Sequence, residues 1–216
     1  MIKENTIKKQ RAACVLSLLK KRYPTFETHL VASNPWELLI ATILSAQCTD
    51  ARVNQVTPIL FTRWPDPSAL ALAMLEEVEQ VIRTTGFYKS KAKHIIETAK
   101  RIMYNYNGVV PQTMDELITL PGVARKTANV VLWGGFGINV GIAVDTHVKR
   151  ISYRLGLTAN KDPSLVEKDL MNLFPQSEWG AINHRMVWFG RHVCKAKNPL
   201  CTLCEMNTFC PHNGIK

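Results

Sequence analysis

Acidic side chains are in short supply in this chain. Only 17 Asp and Glu stand against 27 Lys and Arg, a formal charge of +10 over 216 residues. Such a surface repels basic partners and draws polyanions, since each cation set on a phosphate releases condensed counterions. Charge alone leaves an ordinary basic protein equally acceptable. Nothing at the start reads as a secretion signal: residues 1–9 are polar and charged and no apolar segment follows. A disulfide framework is therefore not the expected use of the six cysteines. One charge-free run, Thr127 to Val144, has the length of a membrane span. Gly134, Gly135, Gly137 and Gly141 interrupt it, with Asn129 and Asn139, so it reads as a buried helix, a glycine turn and an extended return. No membrane association is expected. Strand-like alternation, fixed-period repeats and low-complexity tracts are all lacking, which points to an all-α fold with short connections. Charged residues at 20% and apolar residues at 46% exclude a disordered chain.

What is present is a series of helix signals. Residues 6–22 are amphipathic, with Ile7, Val15, Leu16, Leu18 and Leu19 on one side. Asn34, Pro35 and Glu37 supply an N-cap, a first-position proline and an acidic third residue for a helix running to about Gln47. Asp50 is placed to cap the next, through Arg63. Short helices follow the break at Pro65-Asp66-Pro67, and Gly86 ends them. A longer helix over 89–105 closes at Asn107-Gly108, and Thr113-x-x-Glu116 is a capping box. Further helices fit 146–156, 163–173 behind Asp162, and 180–193. Cys14 and Cys48 read as small buried apolar residues.

Two motifs carry chemistry. Cys194, Cys201, Cys204 and Cys210 fall within one short run spaced C-x6-C-x2-C-x5-C. Four thiolates in one loop read as a metal site, and a [4Fe–4S] cluster needs that donor set. A zinc-binding module is the weaker option, because the cysteines are not in paired C-x2-C halves. Arg191, His192, Lys195 and Lys197 surround them, so the loop faces an anion. The second motif is Leu120-Pro121-Gly122-Val123-Ala124-Arg125-Lys126-Thr127-Ala128-Asn129. Pro121-Gly122 makes a tight turn, and the helix after it presents backbone N–H groups and a positive dipole end that hold a phosphate without reading a base. An ordinary helical corner has the same local signature; Arg125, Lys126 and the net charge favour DNA. Taken alone, Lys126 reads first as a phosphate contact and Asp145 as a plain N-cap.

The ten-residue stretch resembles the helix-hairpin-helix of the DNA glycosylase superfamily. With Leu44-Ser45-Ala46-Gln47-Cys48-Thr49-Asp50, Val144-Asp145-Thr146-His147-Val148 and the four cysteines, the chain resembles the endonuclease III family from about residue 10 to 210. The resemblance implies two helical lobes: a six-helix barrel with the hairpin over 24–136, and an iron–sulfur cluster domain from 1–23 and 137–216, with an active cleft between them. It implies a bifunctional DNA glycosylase and abasic-site lyase of base-excision repair, acting on double-stranded DNA with oxidised pyrimidines or abasic sites. It further implies a monomer in the prokaryotic cytoplasm, associated with the nucleoid.

Under that resemblance Lys126 is the nucleophile, in a first helical turn where the dipole favours the free amine. Asp145 stabilises the developing sugar cation. The four cysteines hold a [4Fe–4S] cluster. Gln47 and Phe87 enter the duplex, one filling the hole left by the flipped nucleotide and the other acting as an apolar wedge. Gly122, Ala124, Arg125, Arg191, Lys195 and Lys197 contact DNA, and His147 is either a further DNA contact or only a helix residue. Phe87 stands where many members carry Leu. Ala124 stands where the hairpin usually has a second glycine, which puts its grip in question. The alternatives are an adenine mismatch glycosylase, which normally lacks the lysine and has a further C-terminal domain, and a non-catalytic DNA-binding iron–sulfur protein.

Overall fold

The computed structural model describes residues 2–25 and 30–215, and among them every regular element is a helix. The chain divides into two units, Thr28–Ile138 and a split one of Met1–Glu27 with Asn139–Lys216. Helix α1 (Ile2–Arg22) belongs to the split unit.

The continuous unit is built round α2 (Pro35–Leu44), whose residues from Leu38 to Leu44 are all buried. It begins as its sequence dictates: the Asn34 side chain accepts the Glu37 N–H at 2.9 Å and Pro35 takes the first position. It stops at Leu44, short of the expected Gln47, because Gln47 is left-handed at φ 52°. The backbone closes there through two tight turns, Ala46 N–H to the Ile43 carbonyl and Cys48 N–H to that of Ser45. Thr49, rather than Asp50, caps α3 (Asp50–Arg63), accepting the Arg52 N–H at 3.3 Å. Asp50 instead opens the helix, where its charge suits the dipole. Next come α4 (Pro67–Ala71), α5 (Leu75–Ile82), a 3₁₀ turn at Arg83–Thr85 and α6 (Tyr88–Tyr106), which Asn107 ends in the left-handed region. Thr113 caps α7 (Met114–Leu117), as expected.

Helix α8 (Arg125–Phe136) lies close against α2. A Cβ on Gly134 would stand 2.9 Å from the Leu38 side chain, and one on Gly135 3.1 Å from Pro35. Each mid-helix glycine costs about 1 kcal/mol relative to alanine, a cost offset by bringing the two helices together. Gly137, at φ 71°, terminates α8, its N–H reaching the Trp133 carbonyl and that of Ile138 the Leu132 carbonyl. Ile138 packs on this unit's core. Ile138 is the last residue of this unit.

In the split unit α1 buries Ala12, Val15 and Leu19 against Val148, Ile151, Phe189 and Met206. That stripe leaves Ile7 and Cys14 exposed, contrary to expectation, because both lie off the line of positions 12, 15 and 19. The unit continues with α9 (Thr146–Arg154), α10 (Pro163–Met171), capped by Asp162, and α11 (Trp179–His192). Among the described residues no helix is long and apolar enough to cross a membrane.

Candidate functional site

The hairpin of the continuous unit is held from below. Leu120 and Val123 are buried, and Pro121-Gly122 turns between them with Gly122 at φ 76°. A side chain at Gly122 would be strained by that φ, and its Cβ would also stand 3.2 Å from both His94 and Ile43. Two residues that no local signal announces brace the turn from α6. The Thr98 hydroxyl donates to the Pro121 carbonyl at 3.0 Å, and Arg101 donates to that of Thr119 at 2.7 Å. Ala124 is the N-cap residue of α8 and has no side chain to cap it. Its φ of −91° and ψ of 169° are extended backbone open to any residue, so a second glycine is not demanded here. Ala124, Arg125 and Lys126 are all exposed at the helix start.

Gln47 and Phe87 stand on two turns of the same unit, and both are non-glycine residues in the left-handed region, at φ 52° and 49°. Holding such residues there costs of order 1 kcal/mol each. Phe87 is 67% exposed, so core packing does not explain it. The buried Lys91 ammonium touches both turns: Nζ donates to the Leu44 carbonyl at 2.7 Å and to the Thr85 carbonyl at 2.8 Å.

In the split unit, buried Ile142, Ala143 and Val144 lead to Asp145. Asn183, itself buried, fixes this return by donating to the Ala143 carbonyl at 2.7 Å. Asp145 is half-buried and caps α9, one carboxylate oxygen accepting the Val148 N–H at 2.8 Å. His147 sits beside Arg150, Nη2 to Nδ1 3.2 Å, and against Gly190 of α11. Burial pushes the His147 imidazole below its ordinary range; Asp145 opposes that shift, while Arg150 and Arg191 add to it. Arg150 also donates to the carbonyls of Gly190 at 3.2 Å and Cys194 at 3.1 Å.

Cys194, Cys201, Cys204 and Cys210 line one pocket, with Leu155, Phe189, Val193 and Leu200 as its apolar walls. All four are half-buried. Arg154 frames the loop, donating to the carbonyls of Lys195 at 2.6 Å and Ala196 at 3.0 Å. Burial pushes the Cys204 and Cys210 thiols up, and Cys194 pushes both further; the backbone N–H groups of Met206 and His212 oppose it. Among the described residues no three His, Cys, Asp or Glu converge on a single metal ion. Arg191, Lys195 and Lys197 are exposed around the loop.

Residues 40–176 match the model of the HhH-GPD superfamily of base excision DNA repair proteins, and the chain belongs to that family. It is 52% identical to endonuclease III of Synechocystis sp. over 211 residues, which cover 98% of this chain and 96% of that protein. It is also similar to the protein in a non-covalent endonuclease III–DNA complex, at a TM-score of 0.90 and 46% identity over 95% of this chain and 96% of that one. The protein in a trapped covalent endonuclease III–DNA intermediate gives the same figures, a TM-score of 0.90 and 46% identity over 95% and 96% of the two chains.

Proposed function

We propose that this chain is a bifunctional DNA glycosylase and abasic-site lyase, which removes oxidised pyrimidines from duplex DNA and cuts the strand with Lys126. The observation that carries the reading is the exposed Lys126 in the first turn of α8, directly behind the Gly122 turn, in a chain close to a protein trapped covalently on DNA. The Lys126 amine attacks C1′ of the flipped nucleotide as the C1′–N bond breaks. The departing base keeps the bonding electrons and takes a proton. The sugar ring opens to an iminium; loss of a C2′ proton then expels the 3′ phosphate oxygen. Asp145 supplies the negative charge that steadies the sugar cation. Its cap bond to Val148 uses one carboxylate oxygen and fixes its orientation. The hairpin N–H groups with Arg125, and the basic residues round the cysteine loop with His147, bind phosphates; Gln47 and Phe87 enter the stack.

The cysteine pocket suits a [4Fe–4S] cluster held by Cys194, Cys201, Cys204 and Cys210. The support is that all four cysteines line one pocket with apolar walls, the full thiolate set that such a cluster needs. Its chemistry here is structural: it fixes a loop that carries Lys195 and Lys197. The chain works as a monomer in the prokaryotic cytoplasm, on nucleoid DNA.

The test of the division of labour is Asp145→Asn, assayed on two duplexes. Asparagine still caps α9, so folding survives. Base release from thymine glycol should fall about a hundredfold or more, while a pre-formed abasic site is still cut, because the amine remains. Unchanged base release would leave Asp145 as a helix cap and nothing more.

A further inference from the structure

Lys91 is 4% exposed, and a buried ammonium is stable only when its N–H groups are satisfied. Two of them go to carbonyls far apart in sequence, Leu44 and Thr85. Leu44 is the last residue of α2, so its carbonyl is one that no later helical turn would receive. Thr85, only 1% exposed, ends the 3₁₀ turn before Gly86 and Phe87. The chain leaving Leu44 reaches the left-handed Gln47, and the chain leaving Thr85 reaches the left-handed Phe87. Those two turns lie some forty residues apart in sequence, and the two bonds of the ammonium join one to the other.

We propose that Lys91 is a positioning residue for damage recognition, its ammonium fixing the spacing of the Gln47 and Phe87 turns so that both enter the duplex together. The proposal rests on the reading that Gln47 and Phe87 are the duplex-entering residues. Lys91 touches neither DNA nor the reacting atoms. Its contribution falls on the step that extracts the nucleotide and not on the chemistry at C1′.

The experiment measures single-turnover base release at saturating enzyme from two duplexes. In one, thymine glycol faces adenine. In the other it faces an abasic site, where no base pair has to be opened. Lys91→Met keeps the stem and removes both hydrogen bonds. Release from the paired duplex should fall about tenfold or more, at least the effect of losing one of the two charged hydrogen bonds, while release from the unpaired one falls less than about threefold. Lys91→Arg, which keeps donors for both carbonyls, should recover most of the loss. If Lys91→Met does not fold, Lys91→Gln, with one short donor group, carries the same comparison. Gln47→Ala and Phe87→Ala are measured alongside. If neither lowers the paired-to-unpaired ratio, the duplex-entry reading itself fails. If they do lower it, but the Lys91 variants slow both duplexes equally or neither, the positioning role is overturned.

Discussion

Gly190→Ala should destabilise this protein even though alanine is the better helix former. The intrinsic gain from replacing a mid-helix glycine is about 1 kcal/mol. Against it, a Cβ at this position would stand 2.5 Å from His147 Nδ1, 2.9 Å from Arg150 Nη2 and 3.1 Å from the end of Ile151. The imidazole on α9 would have to shift, and Arg150 Nη2 already stands 3.2 Å from its Nδ1. Arg150 is held by the Gly190 and Cys194 carbonyls, so moving its guanidinium loosens bonds of 3.2 and 3.1 Å. Overpacking costs about 1–3 kcal/mol, and each loosened hydrogen bond adds about 1 kcal/mol. The net loss is about 2–4 kcal/mol, and a chain of this size drops about 2–4 °C per kcal/mol. Thermal unfolding followed by circular dichroism should therefore show a midpoint about 4–16 °C lower. Because Asp145 caps α9, base release should slow as well. A midpoint that is unchanged or higher would mean that helix propensity wins, and that α9 and α11 are not packed as tightly as the distances state.

Anaerobically purified protein should carry iron and sulfide and absorb broadly near about 400 nm; one zinc with no sulfide contradicts the cluster. DNA affinity should fall with salt at a log–log slope on the order of −4, from Arg125, Arg191, Lys195 and Lys197, and a flat response removes the phosphate grip. Ala124→Gly should bind duplex equally or more tightly, since glycine is the better N-cap residue and the extended backbone there tolerates it; a clear loss of binding contradicts that account. Glu178 provides the pH test. Burial alone would push its carboxyl up, but hydrogen bonds from Lys20 and Arg185 outweigh burial and hold it below the usual carboxylate range. Its contribution is present above the unfolded value and lost as pH falls through the depressed folded one. Glu178→Gln should thus cost about 1–3 kcal/mol at neutral pH, with the gap to the parent closing in acid; a gap that stays constant with pH refutes the ion pair.

Local signals in the sequence carried much of the fold. Asn34, Thr113 and Asp162 cap the helices they precede, and Gly137 stops the helix that the charge-free run begins. They carried less where two neighbours compete for one task. Thr49 and Asp50 can each cap α3, and only the backbone direction decides between them. Gln47 has no glycine-like signature, so its left-handed turn, and with it the early end of α2, is set by the packing around it. Burial was misjudged where a residue type was weighed without its helical phase, as for Cys14. The candidate site divides in the same way. Lys126, Asp145 and the cysteines are found from motifs. Lys91, Arg101, Arg150, Arg154 and Asn183 act on carbonyls 18 or more residues away in most cases, as Arg101 does on Thr119 and Arg150 on Cys194. A lysine or arginine of that kind looks, in sequence, like any solvated charge.

The central claim is that the amine of Lys126 is the nucleophile. Its most direct test is borohydride trapping on a duplex with a single thymine glycol, comparing the parent with Lys126→Gln. The parent should give a covalent protein–DNA adduct, and mass spectrometry of the digest should place the adduct on Lys126. Lys126→Gln should still bind the duplex but release no base and leave no adduct. Trapping by Lys126→Gln at the parental level would show that another amine attacks the sugar, and would contradict the account.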